Sequence, residues 1–243
     1  MKKKILILMT ILLLAFPAVN AFSALNAEVP TLHGSSGLIA LPTANVQKAT
    51  SIAFGGWFLF QEFGFLPRVL VSFINNWELG GGFDIQNPND LSFTINTKYK
   101  FYDNGTFKFA IGGNFQHNAN EFDSWDNGQI FLVMTWTGWA NTTAFIGYTL
   151  GSDNSSNIDF GIGIEKILYA GGFGGIAIVA DFTNFPYRYH KGSIQGAGED
   201  IRGIFNFGAR ILIKNIIIVD FILVDILDDE RSVAASIFCK LTF

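Results

Sequence analysis

Twelve charged side chains share the polar parity of alternating segments in this sequence. The cations are Arg68, Lys98, Lys100, Lys108, Arg210 and Lys240; the anions are Glu78, Asp84, Asp159, Glu165, Asp181 and Asp220. Six against six is a balanced interior. A pore selective for one sign of ion needs that sign's partner in excess. The set therefore reads either as pairs that brace a wall across the lumen or as the lining of a narrow, weakly selective passage for small polar solutes. Catalytic chemistry is harder to assemble. A nucleophile needs a base within hydrogen-bond reach, and that base needs an orienting group. His117 is followed by Asn118 and Ala119, with no serine at the spacing of an outer-membrane phospholipase, and His190 sits alone in a loop. His33, His117 and His190 show no metal-ligand spacing. Gly171-Gly172-Phe173-Gly174-Gly175 opens no helix and so is no phosphate loop. No catalytic residue, cofactor or metal is expected.

The elements that carry these side chains are strands. In Trp77–Gln86, odd positions are mostly apolar and even positions are polar or Gly. Leu91, Phe93, Ile95, Tyr99 and Phe101 alternate with Ser92, Thr94, Asn96, Lys98 and Lys100, and the pattern repeats from Phe107 to Gln116. Period two puts each set on its own face of a strand. The same reading predicts strands over 50–60, 67–74, 77–86, 90–101, 106–116, 129–138, 142–150, 157–168, 173–183, 203–213, 216–226 and 233–243. Their lengths approach the roughly 9–11 residues with which a tilted strand crosses a bilayer. The intervening segments alternate between short turns rich in Asn and Gly and mostly longer loops, among them 61–66, 117–128 and 184–202. With twelve strands both termini fall at the short-turn end, the periplasmic end of outer-membrane barrels. Aromatic residues recur near strand ends: Trp77, Phe101 and Trp136 towards the turns, Tyr148 and Phe160 towards the loops. Such rings suit a membrane–water boundary. Lys166 breaks the apolar parity of its strand near a turn, where its stem can snorkel.

The bulk composition agrees. Charged residues are 15% of the 243, hydrophobic residues 49%, and Phe and Gly number 26 each; mean hydropathy is +0.33. Met1-Lys2-Lys3-Lys4, the apolar run Ile5 to Ala15, and Val19-Asn20-Ala21 have the form of a secretory signal peptide. Its removal takes three lysines and no acids, lowering the formal charge from -4 to -7 and disfavouring nucleic acid as a partner. The single cysteine, Cys239, excludes an internal disulfide. The expected organisation is a signal peptide over 1–21, a leader or lumen plug over 22–49, and a barrel over 50–243. Residues 28–49 read evenly as a periplasmic leader or as a functional segment, the latter either tucked into the lumen as a plug or forming a short extra strand over Leu38–Leu41. The fold class is all-β: a transmembrane antiparallel up-and-down β-barrel of about twelve strands in the outer membrane. The alternative is a secreted soluble β-sandwich. The many inward glycines leave volume for water, a plug or a ligand.

Two resemblances add to this. The last strand, Val233 to Phe243, places apolar residues at every second position, with Ile237, Cys239, Leu241 and Phe243 at its end. It resembles the C-terminal signal of outer-membrane proteins, which implies recognition by the barrel-assembly machinery. Gly34-Ser35-Ser36-Gly37-Leu38-Ile39-Ala40-Leu41-Pro42-Thr43-Ala44 resembles the TGLI-x-x-PTA element of YjbH-type outer-membrane proteins, with Ser36 where Thr is commoner. That family is associated with exopolysaccharide operons, so the resemblance implies a link to surface polysaccharide. Loop 184–202 offers Phe185, Tyr187, Arg188, Tyr189 and Lys191 as candidate contacts to sugars or lipopolysaccharide-like head groups. The expected partners are thus outer-membrane lipid, the assembly machinery and a candidate surface polysaccharide. The expected function is a structural or passive-transport, porin-like role. An outer-membrane enzyme is the alternative, and it predicts a Ser/His or acidic cluster on the outer face near the loops.

Overall fold

A computed structural model describes residues 28–243 except 62, 88–89, 120–123, 153–155, 186–202, 215 and 228–231. Twelve antiparallel strands close into one barrel: β3 (Ser51–Leu59), β4 (Gly64–Ser72), β5 (Trp77–Asn87), β6 (Asp90–Asp103), β7 (Phe107–Ala119), β8 (Ser124–Thr137), β9 (Asn141–Gly151), β10 (Ser156–Gly171), β11 (Gly174–Thr183), β12 (Ile204–Ile213), β13 (Ile217–Val224) and β14 (Ser232–Thr242). Each pairs with its chain neighbours, and β14 closes on β3 from Ala234↔Leu59 to Thr242↔Ser51. Closure leaves no sheet edge unpaired, as hydrocarbon requires. Two further strands, β1 (Val29–Pro30) and β2 (Ser36–Gly37), form a separate two-stranded hairpin.

The period-two pattern becomes the two faces of the wall. On β8, Trp125, Asn127, Gln129, Phe131, Val133 and Thr135 are buried inside, while Ile130 and Leu132 face out. The outer face is apolar around the circumference, from Phe54 and Phe83 through Ile95, Ile130 and Ile162 to Phe221 and Ile237. A continuous apolar belt of this kind is far larger than the patches monomeric proteins show to water, and it matches lipid. Phe101, Trp136, Tyr148 and Phe160 sit on that outer surface, and Trp77 donates from Nε1 to Thr97 Oγ1 at 2.8 Å. Lys166 places its ammonium 4.3 Å from the Trp139 ring centroid, a cation–π contact near the short-turn end.

Three details differ from the sequence reading. β4 begins at Gly64 and runs through Pro67, where a loop over 61–66 was expected. Its ladder with β5 skips from Phe65↔Ile85 to Arg68↔Gly82. Arg68 Nη1 fills that break by donating to Pro67 O at 3.2 Å and Phe83 O at 2.7 Å, so a residue without an N–H is accommodated. β7 and β8 also extend into the expected loop 117–128, pairing to Ala119↔Ser124. The outward residues there are His117 and Asp126, which bond each other at 2.7 Å instead of presenting apolar groups. Finally, the inner face is not polar throughout. Trp57, Leu66, Leu70, Val179, Ile218 and Phe238 point inward, so the wall formed by β11–β14, β3 and β4 is largely apolar.

Candidate functional site

The interior is occupied by the chain's own N-terminal segment. Every residue from Val29 to Gln47 is buried. Leu38–Leu41 is not the extra strand that was one expectation; it is a bend closed by Leu38 N donating to Leu41 O at 2.9 Å, and it lies against the lumen wall. Val29, Leu32 and Ile39 pack with Trp57, Leu66, Ile218 and Phe238, which explains the apolar half of the inner face. Leu38, Leu41 and Ala44 pack with Ala110, Phe131, Val133, Phe145 and Phe185 on the other side. Burial of side chains of this size contributes about 1.5–3 kcal/mol each.

The glycines of the wall make the fit possible. A Cβ on Gly163 would stand 2.3 Å from Leu38 Cδ1, and one on Gly161 would stand 2.5 Å from Leu41 Cδ1. A Cβ on Gly80 would meet Gly34 O at 2.7 Å. The space at these glycines is filled by the plug. Gly55, Gly82, Gly112, Gly147 and Gly208 instead abut the barrel's own wall.

The polar contacts are mostly to the plug's main chain. Asp181 Oδ2 accepts from the N–H groups of Ile39, Ala40 and Leu41 at 2.9, 2.8 and 3.0 Å. Three successive amides around one oxygen form an anion-binding concavity, here filled by a side-chain carboxylate. The other Asp181 oxygen accepts from Asn206 Nδ2 at 2.7 Å. Arg210 donates to Gly37 O at 3.2 Å and Leu38 O at 2.9 Å, and it is ion-paired with Asp220 and Glu165 at 2.8 and 3.1 Å. Arg68 donates through Nε and Nη2 to Leu32 O at 2.8 and 2.6 Å and pairs with Asp84. Glu78 accepts from Ser36 N at 2.9 Å and from Ser36 Oγ, while Lys98 donates to Ser36 O at 2.8 Å and pairs with Glu78 at 3.0 Å. Lys108 donates to Asn45 Oδ1 at 2.7 Å, and Lys240 meets Glu28 at 2.5 Å. Trp57 Nε1 donates to Pro30 O at 3.2 Å, and Thr135 Oγ1 accepts from Ala44 N at 2.8 Å.

The expected charged set thus divides. Arg68, Glu78, Lys98, Lys108, Asp181, Arg210 and Lys240 contact the plug directly. Asp84, Glu165 and Asp220 hold the arginines that do. Asp159 accepts from Gln129 at 2.6 Å and from Thr149 and Asn157, away from the plug. Lys100 pairs with Asp103 at 2.6 Å beside a short turn. The pairs of Arg68 with Asp84, Lys98 with Glu78, and Arg210 with Asp220 and Glu165 join wall strands one or two apart. They do not span the lumen, because the plug stands in its centre.

His33, outside the spanning strands, is held near Phe185 with ring centroids 5.7 Å apart. Burial, reinforced by the neighbouring Arg68 guanidinium, pushes its imidazolium down to about 3, so the ring is neutral at pH 7. The sequence did not single out His33, Ser36 or Asn45 as contact residues. The one available signal was the abundance of inward glycine. The His117–Asp126 pair was also missed, because its partners meet only across the β7–β8 hairpin. Among the described residues, no hydroxyl hydrogen-bonds the other ring nitrogen of His117. On β14, Ile237, Leu241 and Phe243 are exposed on the outer surface, and Cys239 is half-buried. Residues 1–21 and loop residues Tyr187, Arg188, Tyr189, His190 and Lys191 lie outside the described residues.

No protein-family model matches the sequence, and no curated protein matches it. Among solved structures, the KdgM porin is similar over 79% of this chain and 99% of its own, at 10% identity and a TM-score of 0.51. The NanC porin is similar over 79% of this chain and 100% of its own, at 10% identity and a TM-score of 0.52. At that identity the likeness is one of fold: this chain folds as an antiparallel barrel similar to those of bacterial porins.

Proposed function

We propose that the protein is an outer-membrane barrel of porin type that passes small polar solutes passively and is held closed at rest by its own residues 28–47. The observation that carries this reading is the seating of the plug. Its main-chain groups are held by Asp181, Arg210, Arg68 and the Glu78–Lys98 pair, with glycines recessed to admit it. A barrel stabilised only by its interior needs no such recesses, since wall side chains alone could fill it. Residues 1–21 act as the export signal in this reading. The outward stripe ending at Phe243 is what the assembly machinery reads. Enzymatic activity has no support from a catalytic constellation at His117.

The element resembling YjbH-type proteins, Gly34 to Ala44, is the part of the plug that contacts Glu78, Asp181 and Arg210. The resemblance supports a link between this barrel and surface polysaccharide. Planar-bilayer recording tests the transport reading. The full chain is expected to be nearly silent, and a variant lacking residues 28–47 to give steady single-channel steps. A folded deletion variant that stays silent assigns the barrel a structural role and overturns the channel.

A further inference from the structure

We infer that the outer face of β6–β9 holds one glycolipid of the loop-end leaflet, its acyl chain in an apolar groove and its sugar against His117, Asp126 and Ser152. The site lies outside the barrel wall and is independent of the lumen and its plug. The groove has a volume of about 510 Å³. Its floor is Gly113 and Gly128, and its walls are Ile95, Phe115, Ile130 and Leu150. Outward glycine elsewhere is covered: a Cβ on Gly56 would stand 2.4 Å from the Phe65 ring. A Cβ on Gly128 would meet nothing within 4 Å, and one on Gly113 only Gln129 O, at 3.2 Å. The apolar belt is notched here, and the described wall supplies no side chain to fill the notch. Lipid tails are as apolar as the side chains that line it, so hydrocarbon is what it takes up.

The row above the groove specifies the head group. Phe115↔Gly128↔Leu150 is the uppermost apolar row. His117↔Asp126 follows on the same outer face, about 7 Å nearer the loop end. Ser152 extends that row on the β9 side: its N–H donates to Asp126 O at 2.8 Å, and its Oγ accepts from Asp126 N at 3.0 Å. The His117 and Asp126 side chains are 33% and 51% exposed, so the row is open to a ligand. His117 Nδ1 and Asp126 Oδ1 lie 2.7 Å apart. A neutral imidazole that gives its Nδ1 proton to a carboxylate presents Nε2 as an acceptor. Asp126 adds acceptor oxygen and a negative charge, which repels a phosphate. The row therefore favours a head group of hydrogen-bond donors. Neighbouring strands are about 4.8 Å apart, so the row spans roughly 10 Å. A single ammonium meets one point of it; the spaced hydroxyls of a sugar ring meet several. Phe93, with its ring centroid 5.2 Å from that of His117, offers an apolar surface to the C–H face of that sugar.

The test places the full chain in phosphatidylcholine nanodiscs doped with monogalactosyl diacylglycerol. Native mass spectrometry then counts the lipid retained on release. Diacylglycerol and phosphatidylethanolamine with the same acyl chains are the comparison lipids. One galactolipid per chain is expected, with saturation, and about tenfold less of either comparison lipid at equal mole fraction. H117A and D126A are expected to weaken binding about tenfold each. G128L is expected to abolish it, because the new side chain enters the groove while its Cβ meets nothing in the barrel. Heat-modifiable gel mobility should show an intact barrel in all three variants. The inference is overturned if no galactolipid is retained saturably, or if G128L or D126A retains it unchanged. It is equally overturned if either comparison lipid is retained as well as the galactolipid, or if a two-chain mass that G128L removes shows a second copy in the groove. The conductance of the plug-deleted barrel is independent of each of these outcomes.

Discussion

Asp181 is the strongest single hold on the plug, and its removal can be sized from the structure. Three plug amides donate to one of its oxygens at 2.8–3.0 Å. A hydrogen bond to a charged group contributes about 1.5–3 kcal/mol net. Three donors crowd a single oxygen, so the sum is not simply three times that figure. Asp181→Ala should cost plug docking roughly 3–5 kcal/mol, since three N–H groups lose their acceptor at once. Asp181→Asn keeps a neutral oxygen in place, and neutral bonds are roughly half as strong; about 2 kcal/mol is the expected loss. At 1.4 kcal/mol per tenfold, the undocked population rises by about two to three and a half powers of ten for Ala and about thirtyfold for Asn. Ser35 is fully buried on the plug, and a cysteine placed there in a Cys239→Ser background reports undocking. With reclosing fast, the rate of its alkylation by a maleimide follows the undocked population. The expected order is Ala above Asn above Asp. Equal rates in all three proteins, with barrels shown intact by heat-modifiable gel mobility, would refute Asp181 as a latch.

Other outcomes follow from the same contacts. Undocked His33 titrates near its ordinary 6.5, whereas docked it does so at about 3. A depressed docked value means docking is strongest above 6.5 and weakens as pH falls, by about 2 kcal/mol between pH 7 and pH 5; the same alkylation rate, divided at each pH by that of a free thiol because acid itself removes the reactive thiolate, should rise on acidification, and His33→Gln should flatten that rise. Gly163→Val places atoms where Leu38 Cδ1 now lies, so alkylation at position 35 should rise without loss of the barrel. Glu78→Ala leaves Lys98, fully buried, without its counter-ion; breaking such a pair costs about 3–5 kcal/mol, read as a lowered urea midpoint. Truncation of Phe243 should reduce the yield of assembled barrel in cells while leaving the yield of refolding in micelles unchanged, since that side chain is exposed at the end of β14.

The barrel was legible because lipid enforces a strict rule. Outward positions are mostly apolar, so period two marks many of the strands, β5 to β8 most clearly, and the hairpin order follows from twelve such runs. Where outward positions escape the rule, the reading failed. His117 and Asp126 satisfy each other near the loop end, so the final turns of β7 and β8 carry no alternation signal and resemble a loop. Pro67 argues against a strand until its missing donor is found opposite a ladder break that Arg68 fills. The inward charges were legible as a parity set, but their partners were not. Arg210 and Glu165 lie on strands two apart, and only closure and tilt bring them to 3.1 Å. The inward apolar residues Trp57, Leu66 and Phe238 were obscured for the opposite reason: the inward glycines allow a plug in the lumen, but nothing in the residue pattern says which wall side chains its apolar residues touch.

The plug was the least legible part, and the manner of its recognition explains why. The barrel reads it largely through main-chain groups: the N–H of Ser36, Ile39, Ala40 and Leu41, and the carbonyls of Leu32, His33, Ser36, Gly37 and Leu38. Every residue type carries those groups, so they leave no signature in residue identity. What remains visible is what lets the backbone bend and come close. Gly34 adopts φ of 99°. Gly37 has room for no Cβ, which would stand 2.3 Å from Leu41 O and 2.7 Å from the Pro42 Cα. Those positions belong to the element that resembles YjbH-type proteins. Its small residues and its proline are thus intelligible as the shape of a backbone pressed against charged walls, with Leu38, Ile39 and Leu41 supplying the apolar burial that the walls' glycines leave room for.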